Sequence, residues 1–138
     1  RLSLVGSEMC IRDRRSPLRD VASLLRSYHY AAHSALHEVG SARGRAPGVV
    51  RPEDVAVLQP WASAWSRWVS AAFLKAYLGR AADAGFLPAD RTELEVLLGA
   101  FMLEKALGEL DHELRHQPAT VSIPLRGLTE MLAGAAQG

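Results

Sequence analysis

After Ser16, apolar residues recur at three- and four-residue spacing, and the places where that rhythm stops divide the chain into helical segments. Leu18, Val21, Leu24, Leu25, Tyr28, Ala32, Ala35 and Leu36 form one stripe, which predicts an amphipathic helix that fades near Glu38 to Gly40. Ser16-Pro17 announces it. A serine hydroxyl can accept from first-turn N–H groups that have no partner, and proline at the first helical position lacks a donor that would be idle anyway. Val39 to Pro52 then sets Gly40, Gly44, Pro47 and Gly48 among Arg43, Arg45 and Arg51, which predicts a mobile loop with solvated charges.

A second helix is expected from about Pro60 to Ala84, with Trp61, Trp65, Trp68 and Ala72 on one face and Val69, Phe73 and Ala76 extending it. Three tryptophans on one helical face read as core. Gly85 stands where a glycine closes a helix, and residues 85–90, with Pro88, form the turn. Thr92-Glu93-Leu94-Glu95 fits a capping box, in which Thr92 bonds forward and Glu95 reaches back. The helix behind it points Leu94, Leu97, Leu98, Phe101, Leu107, Leu110 and Leu114 inward until Pro118 stops it. A short extended piece, Thr120 to Ile123, precedes Pro124, and a last helix uses Leu125, Leu128, Met131 and Leu132. There is no internal repeat and no convincing strand pair. The expected fold class is all-α.

Composition narrows the function classes. The chain has 138 residues, 49% hydrophobic and 22% charged, enough for one domain with a core. A net charge of +1 gives no reason to expect nucleic acid or an anionic membrane surface as a partner. No apolar run approaches the roughly 18–20 residues that a bilayer span needs. Cys10 is the one cysteine, so no internal disulfide can form, which fits a reducing, cytoplasmic setting.

Leu4 to Asp13 reads LVGSEMCIRD and looks like the translation of a transposase-type sequencing-library adapter. Residues 1–14 are accordingly expected to be non-native, and they are set aside in reading the fold. Their removal leaves the remainder without cysteine and without net charge. It also implies an interrupted gene, so that residues 15–138 are the C-terminal piece of a longer protein.

The blocks of that piece have a family likeness. Ser16-Pro17-Leu18-Arg19-Asp20-Val21-Ala22 with Leu25-Arg26-Ser27-Tyr28-His29-Tyr30-Ala31-Ala32 resembles the segment just after the metal-binding motif of bacterial maltokinases. Trp61-Ala62, Trp68-Val69-Ser70-Ala71-Ala72-Phe73-Leu74 and Ala76-Tyr77-Leu78 are similar to the same family further on. So are Leu103-Glu104-Lys105-Ala106-Leu107 and Ile123-Pro124-Leu125-Arg126-Gly127-Leu128. The likeness runs in order from Ser16 to about Leu132. It implies the helical part of the C-terminal lobe of a protein-kinase-like, aminoglycoside-phosphotransferase-like fold. The family, alone or fused behind a trehalose synthase, phosphorylates maltose with ATP and Mg²⁺ to maltose 1-phosphate for α-glucan and glycogen synthesis.

Phosphoryl transfer needs a phosphate-cradling loop, a lysine on the phosphates, a catalytic aspartate and metal-binding carboxylates. In the family all of these precede the position of Ser16. The resemblance therefore implies no catalytic residue and no bound cofactor on this stretch, which would be inert alone. Its partners would be the missing N-terminal lobe and catalytic segment, maltose, and in a fusion a trehalose synthase domain.

Two readings stand beside each other for the candidate residues. Asp20 lies in the first turn of its helix, where the dipole favours a carboxylate; the resemblance makes it the buried kinase-like aspartate that supports the catalytic loop. Glu104, Lys105, Gly108, Glu109 and His112 share a helical face by spacing. The resemblance places Glu104, Lys105, Glu109 and His112 on the maltose side, although Gly108 and His112 stand where the family has tyrosines. Without it, they form a solvated Glu–Lys surface. Tyr30 and Tyr77 are phenols at a core edge, where such groups turn into clefts, and Tyr30 is a further maltose-side candidate. Trp61, Trp65 and Trp68 could alternatively form a carbohydrate platform.

Two further functions compete. A stand-alone helical interaction module would use the same apolar stripes on a partner. A His-lined metal-binding bundle would draw on His29, His33 and His37, spaced i, i+4, i+8, and on His112 and His116. Against the metal, no glutamate follows His29 or His33, and no third ligand stands at a telling distance.

Overall fold

The computed structural model describes residues 16–40 and 51–135. The adapter-like segment at 1–14 and most of the loop expected over 39–52 lie outside these residues. The described residues contain no strand and form four α-helices: α1 (Leu18–Gly40), α2 (Val55–Ala81), α3 (Arg91–His116) and α4 (Ser122–Ala135). Short 3₁₀ turns, Pro52–Asp54 and Pro118–Thr120, precede α2 and α4. The all-α class holds.

α1 begins as its sequence predicts. The Ser16 hydroxyl accepts from the Leu18 N–H at 3.3 Å, and the Pro17 carbonyl accepts from Asp20 and Val21. This helix packs against the three others, and α3 and α4 also meet. Its inward stripe is rotated from the purely apolar one. Leu18, Val21, Ala22 and Leu25 are buried, and Arg26, His29 and His33 continue the same row, while Leu24 and Ala35 are exposed. Neighbours on several sides set which face is inside, and polar groups can lie there because facing helices bring them partners.

α2 starts at Val55, earlier than the expected position near Pro60, so Pro60 lies within the helix. In the second turn its ring removes one backbone bond, to the Ala56 carbonyl. The helix ends at Ala81, and Gly85 is not its closing residue. Gly85 instead turns the link to α3 with φ at 69°, a backbone region that glycine enters without strain.

The tryptophans are not core. Trp61, Trp65 and Trp68 are 71%, 50% and 75% exposed. α2 lays Ser63, Ser66 and Ala81 inward instead, small side chains that let the backbone come close to α1. Phe73 completes that contact, edge-on to Tyr28 at 6.2 Å and stacked on Tyr77 at 5.9 Å.

At the start of α3 the cap is Asp90, not Thr92. Its Oδ2 accepts from the Glu93 N–H at 3.0 Å, while Glu95 accepts from Arg91 Nε at 2.8 Å. The Asp90-x-x-Glu93 spacing two residues earlier competes with Thr92-x-x-Glu95 and takes the terminus. Pro118 stops α3 as expected, and the Gln117 N–H bonds the Glu113 carbonyl at 2.8 Å. Leu107 and Leu114, expected inside, are exposed, whereas Ala106 and Glu113 are buried. The extended piece expected over 120–123 is absent. The 3₁₀ turn leads into α4, whose first turn takes Pro124 without losing a needed donor.

Glycines in two helices give opposite expectations. A methyl at Gly127 would sit 2.9 Å from Cζ of buried Arg26, whereas nothing lies within 4 Å of one at Gly99. Gly127→Ala is expected to lower stability by about 1–3 kcal/mol through overpacking. Gly99→Ala is expected to raise it by about 0.5–1 kcal/mol through helix propensity. Urea denaturation of the two variants measures both.

Candidate functional site

The α1–α3 contact is polar. Arg26, 1% exposed, donates from Nη2 and Nε to Glu109 Oε2 at 2.6 and 3.1 Å. One turn further along both helices, Tyr30 donates its hydroxyl to Glu113 Oε1 at 2.8 Å, and Thr120 donates to the other oxygen. Burial and the Glu113 carboxylate push the Tyr30 phenol above its ordinary range, so it stays a donor.

Beside these pairs lies an open cleft of about 450 Å³ lined by Arg19, Phe101, Glu104, Lys105, Glu109 and His112, among others. The helical face predicted from spacing is therefore one wall of a real depression. Glu104, Lys105, Glu109 and His112 all reach it, and Tyr30 reaches its floor through Glu113, which also lines it. Asp20 is exposed in the first turn of α1 and is not among the cleft-lining residues. Tyr77 packs on Phe73 instead.

Arg19, Ser23, Phe101 and Glu113 are cleft residues that sequence reasoning missed. Arg19 pairs with Glu104, and its guanidinium lies 5.9 Å over the Phe101 ring. Phe101 precedes Glu104, Lys105 and Gly108 on the same helical row, so its place was readable from spacing. Arg19 comes from another helix and was not.

The three carboxylates of the cleft are engaged: Glu104 with Arg19, Glu109 with Arg26, and Glu113 with two hydroxyls. Such a set does not fit Mg²⁺, which asks for free carboxylates and phosphate oxygens. What remains around the cleft is the Lys105 ammonium, the His112 imidazole and the outer sides of the carboxylates, beside a Phe101 ring that Arg19 covers on one face.

A second cluster lies where α1, α2 and α4 meet. The His29 and His33 rings stand 4.4 Å apart, with Glu130 Oε2 3.7 Å from His29 Nε2. Ser63 of α2 donates to Glu130 Oε1 at 2.7 Å and lies 3.4 Å from His33 Nε2. Burial, with Arg26, His33 and Arg126 nearby, pushes His29 down to about 3. Burial also lowers His33, helped by Arg126 and Arg26 and opposed by Glu130. The histidines are thus interior groups, not a solvated face. His37 stands apart, its Nε2 2.8 Å from the Ala119 carbonyl, and His112 and His116 pair on the exposed side of α3. Among the described residues no helix is long and apolar enough to cross a membrane.

No protein-family model matches the sequence, and no solved structure matches the chain.

The Arg26 pair gives the sharpest expectation. Glu109→Gln leaves a buried guanidinium without its counter-charge and is expected to cost about 3–5 kcal/mol. Arg26→Met, which removes the buried charge itself, is expected to cost less. Tyr30→Phe takes one of two hydroxyl donors from Glu113 and is expected to cost about 1–3 kcal/mol. Chemical denaturation followed by circular dichroism reads all three.

Proposed function

We propose that this chain is the C-terminal helical wall of a maltokinase, an ATP-dependent enzyme that phosphorylates maltose at its anomeric hydroxyl. The ordered sequence blocks from Ser16 to about Leu132 motivate the reading. The observation that carries it structurally is the clustering of Glu104, Lys105, Glu109 and His112 in one cleft beside an aromatic ring. In this reading Lys105, His112 and Glu104 bond sugar hydroxyls beside the Phe101 ring. Glu109 acts at one remove, because Arg26 holds it in place. Asp20 is a positioning residue, set at the exposed start of α1 to accept N–H bonds from a catalytic loop supplied by the preceding chain.

The outer faces support a wall with a missing neighbour. Trp61, Trp65 and Trp68 on α2, and Leu103, Leu107 and Leu114 on α3, are all exposed. Large apolar side chains in such numbers are what a subdomain shows when the layer that covers it is elsewhere. A stand-alone helical interaction module, the second reading, draws support from the same α2 face.

ATP turnover separates the two. With the upstream coding region restored, the longer protein is expected to consume ATP only when maltose is present, and the 138 residues alone to consume none. Lys105→Ala in the longer protein is expected to raise KM for maltose about tenfold with a smaller change in kcat, as loss of a ground-state contact does. A longer protein that binds a partner through Trp61 and Trp68 and never turns over ATP would favour the interaction module.

A further inference from the structure

We propose that His29 and His33 of α1 and Glu130 of α4 form a site for one divalent transition-metal ion of the Zn²⁺ type. The inference is independent of the phosphotransferase reading. One ligand atom from each residue can be chosen so that all lie within 4.8 Å of one another. Two imidazoles four residues apart on a helix present their nitrogens on one side, and the facing helix brings the carboxylate.

The state of His29 is the second, independent observation. Its side chain is nine-tenths buried, and both ring nitrogens are buried without a hydrogen-bond partner. A buried polar group left unpaired costs free energy, so nearly all such groups in folded proteins have a partner. A metal ion between His29, His33 and Glu130 supplies one.

The surroundings fit. Ser63 donates to Glu130 Oε1 at 2.7 Å, which orients the carboxylate and leaves Oε2 facing His29. A cavity of about 330 Å³, lined by His29, Glu130, Ser66 and Ser70 among others, gives an ion a route in. Three protein ligands leave a fourth position for water or for the Ser63 hydroxyl. Two nitrogens and one oxygen favour Zn²⁺ over Mg²⁺ or Ca²⁺, which prefer oxygen throughout. Two arginines oppose a cation. Arg26 has its charge matched by Glu109 at 2.6 Å, and Arg126 is half-buried at the same cluster. Affinity is thus expected to be that of a moderate site.

The test adds Zn²⁺ to the metal-stripped 138-residue chain, removes excess by gel filtration, and counts the ion by elemental analysis. One Zn²⁺ per chain is expected, and Co²⁺ in its place is expected to give the visible absorption of a low-symmetry site. His29→Ala and His33→Ala are each expected to weaken binding by about 100-fold or more, and Ser63→Ala by about tenfold. Glu130→Gln alters a partly exposed position that tolerates an amide, so it decides the matter if either histidine variant loses its helical circular dichroism. Its expected result is loss of retained Zn²⁺ with the helical signal intact. His112→Ala with His116→Ala is expected to leave the retained Zn²⁺ at one per chain. Less than one ion per chain, or binding that survives Glu130→Gln unchanged, or binding lost with His112 and His116, overturns the proposal.

Discussion

The fold turns on a guanidinium buried in the middle of α1. Arg26 is 1% exposed, held by Glu109 of α3, and covered by the bare backbone of Gly127 on α4. Taking two charges out of water costs several kcal/mol, which the mutual attraction of the pair largely offsets, so its net contribution to stability is small while loss of one partner is costly. A rotation of α1 or a one-turn slip of α3 would strand a charge in the interior. The Tyr30–Glu113–Thr120 bonds repeat the constraint one turn on and tie in the 3₁₀ turn that starts α4.

With the interior committed to polar partners, much of the apolar material lies outside. The described apolar core is short: Leu18, Val21, Ala22 and Leu25 from α1, with Ala81, Ala106 and Ile123 from the other helices. The tryptophans of α2 and several leucines of α3 remain at the surface. This inversion leaves large apolar side chains exposed on two helices. It also leaves polar side chains poised at two places, the α1–α3 cleft and the His29–His33–Glu130 cluster.

Much of the architecture was legible in the sequence. The 3.6-residue rhythm located all four helices, Ser16-Pro17 and Pro118 marked a start and a stop, and the row from Glu104 to His112 does line one cleft. Other features were not readable, for physical reasons. The burial of Arg26, His29 and His33 depends on partners contributed by Glu109, Ser63 and Glu130 from other helices. Their residue types alone suggest a solvated face. The tryptophans misled because an apolar stripe says that a face is to be covered, not that this chain covers it. Helix starts drifted where two capping signals lay two residues apart, as Asp90 and Thr92 do, or where proline was read as a first-turn residue. Glu130 could not have been nominated as a third ligand, since only the packing of α4 on α1 brings it to the histidines.

A double-mutant cycle on Arg26 and Glu109 tests the central constraint most directly. If the buried pair sets the register, Arg26→Met combined with Glu109→Leu is more stable than Glu109→Leu alone, with a coupling of about 2 kcal/mol or more in equilibrium denaturation. Losses that simply add, to within about 0.5 kcal/mol, would mean that the two side chains do not depend on each other and would contradict the account.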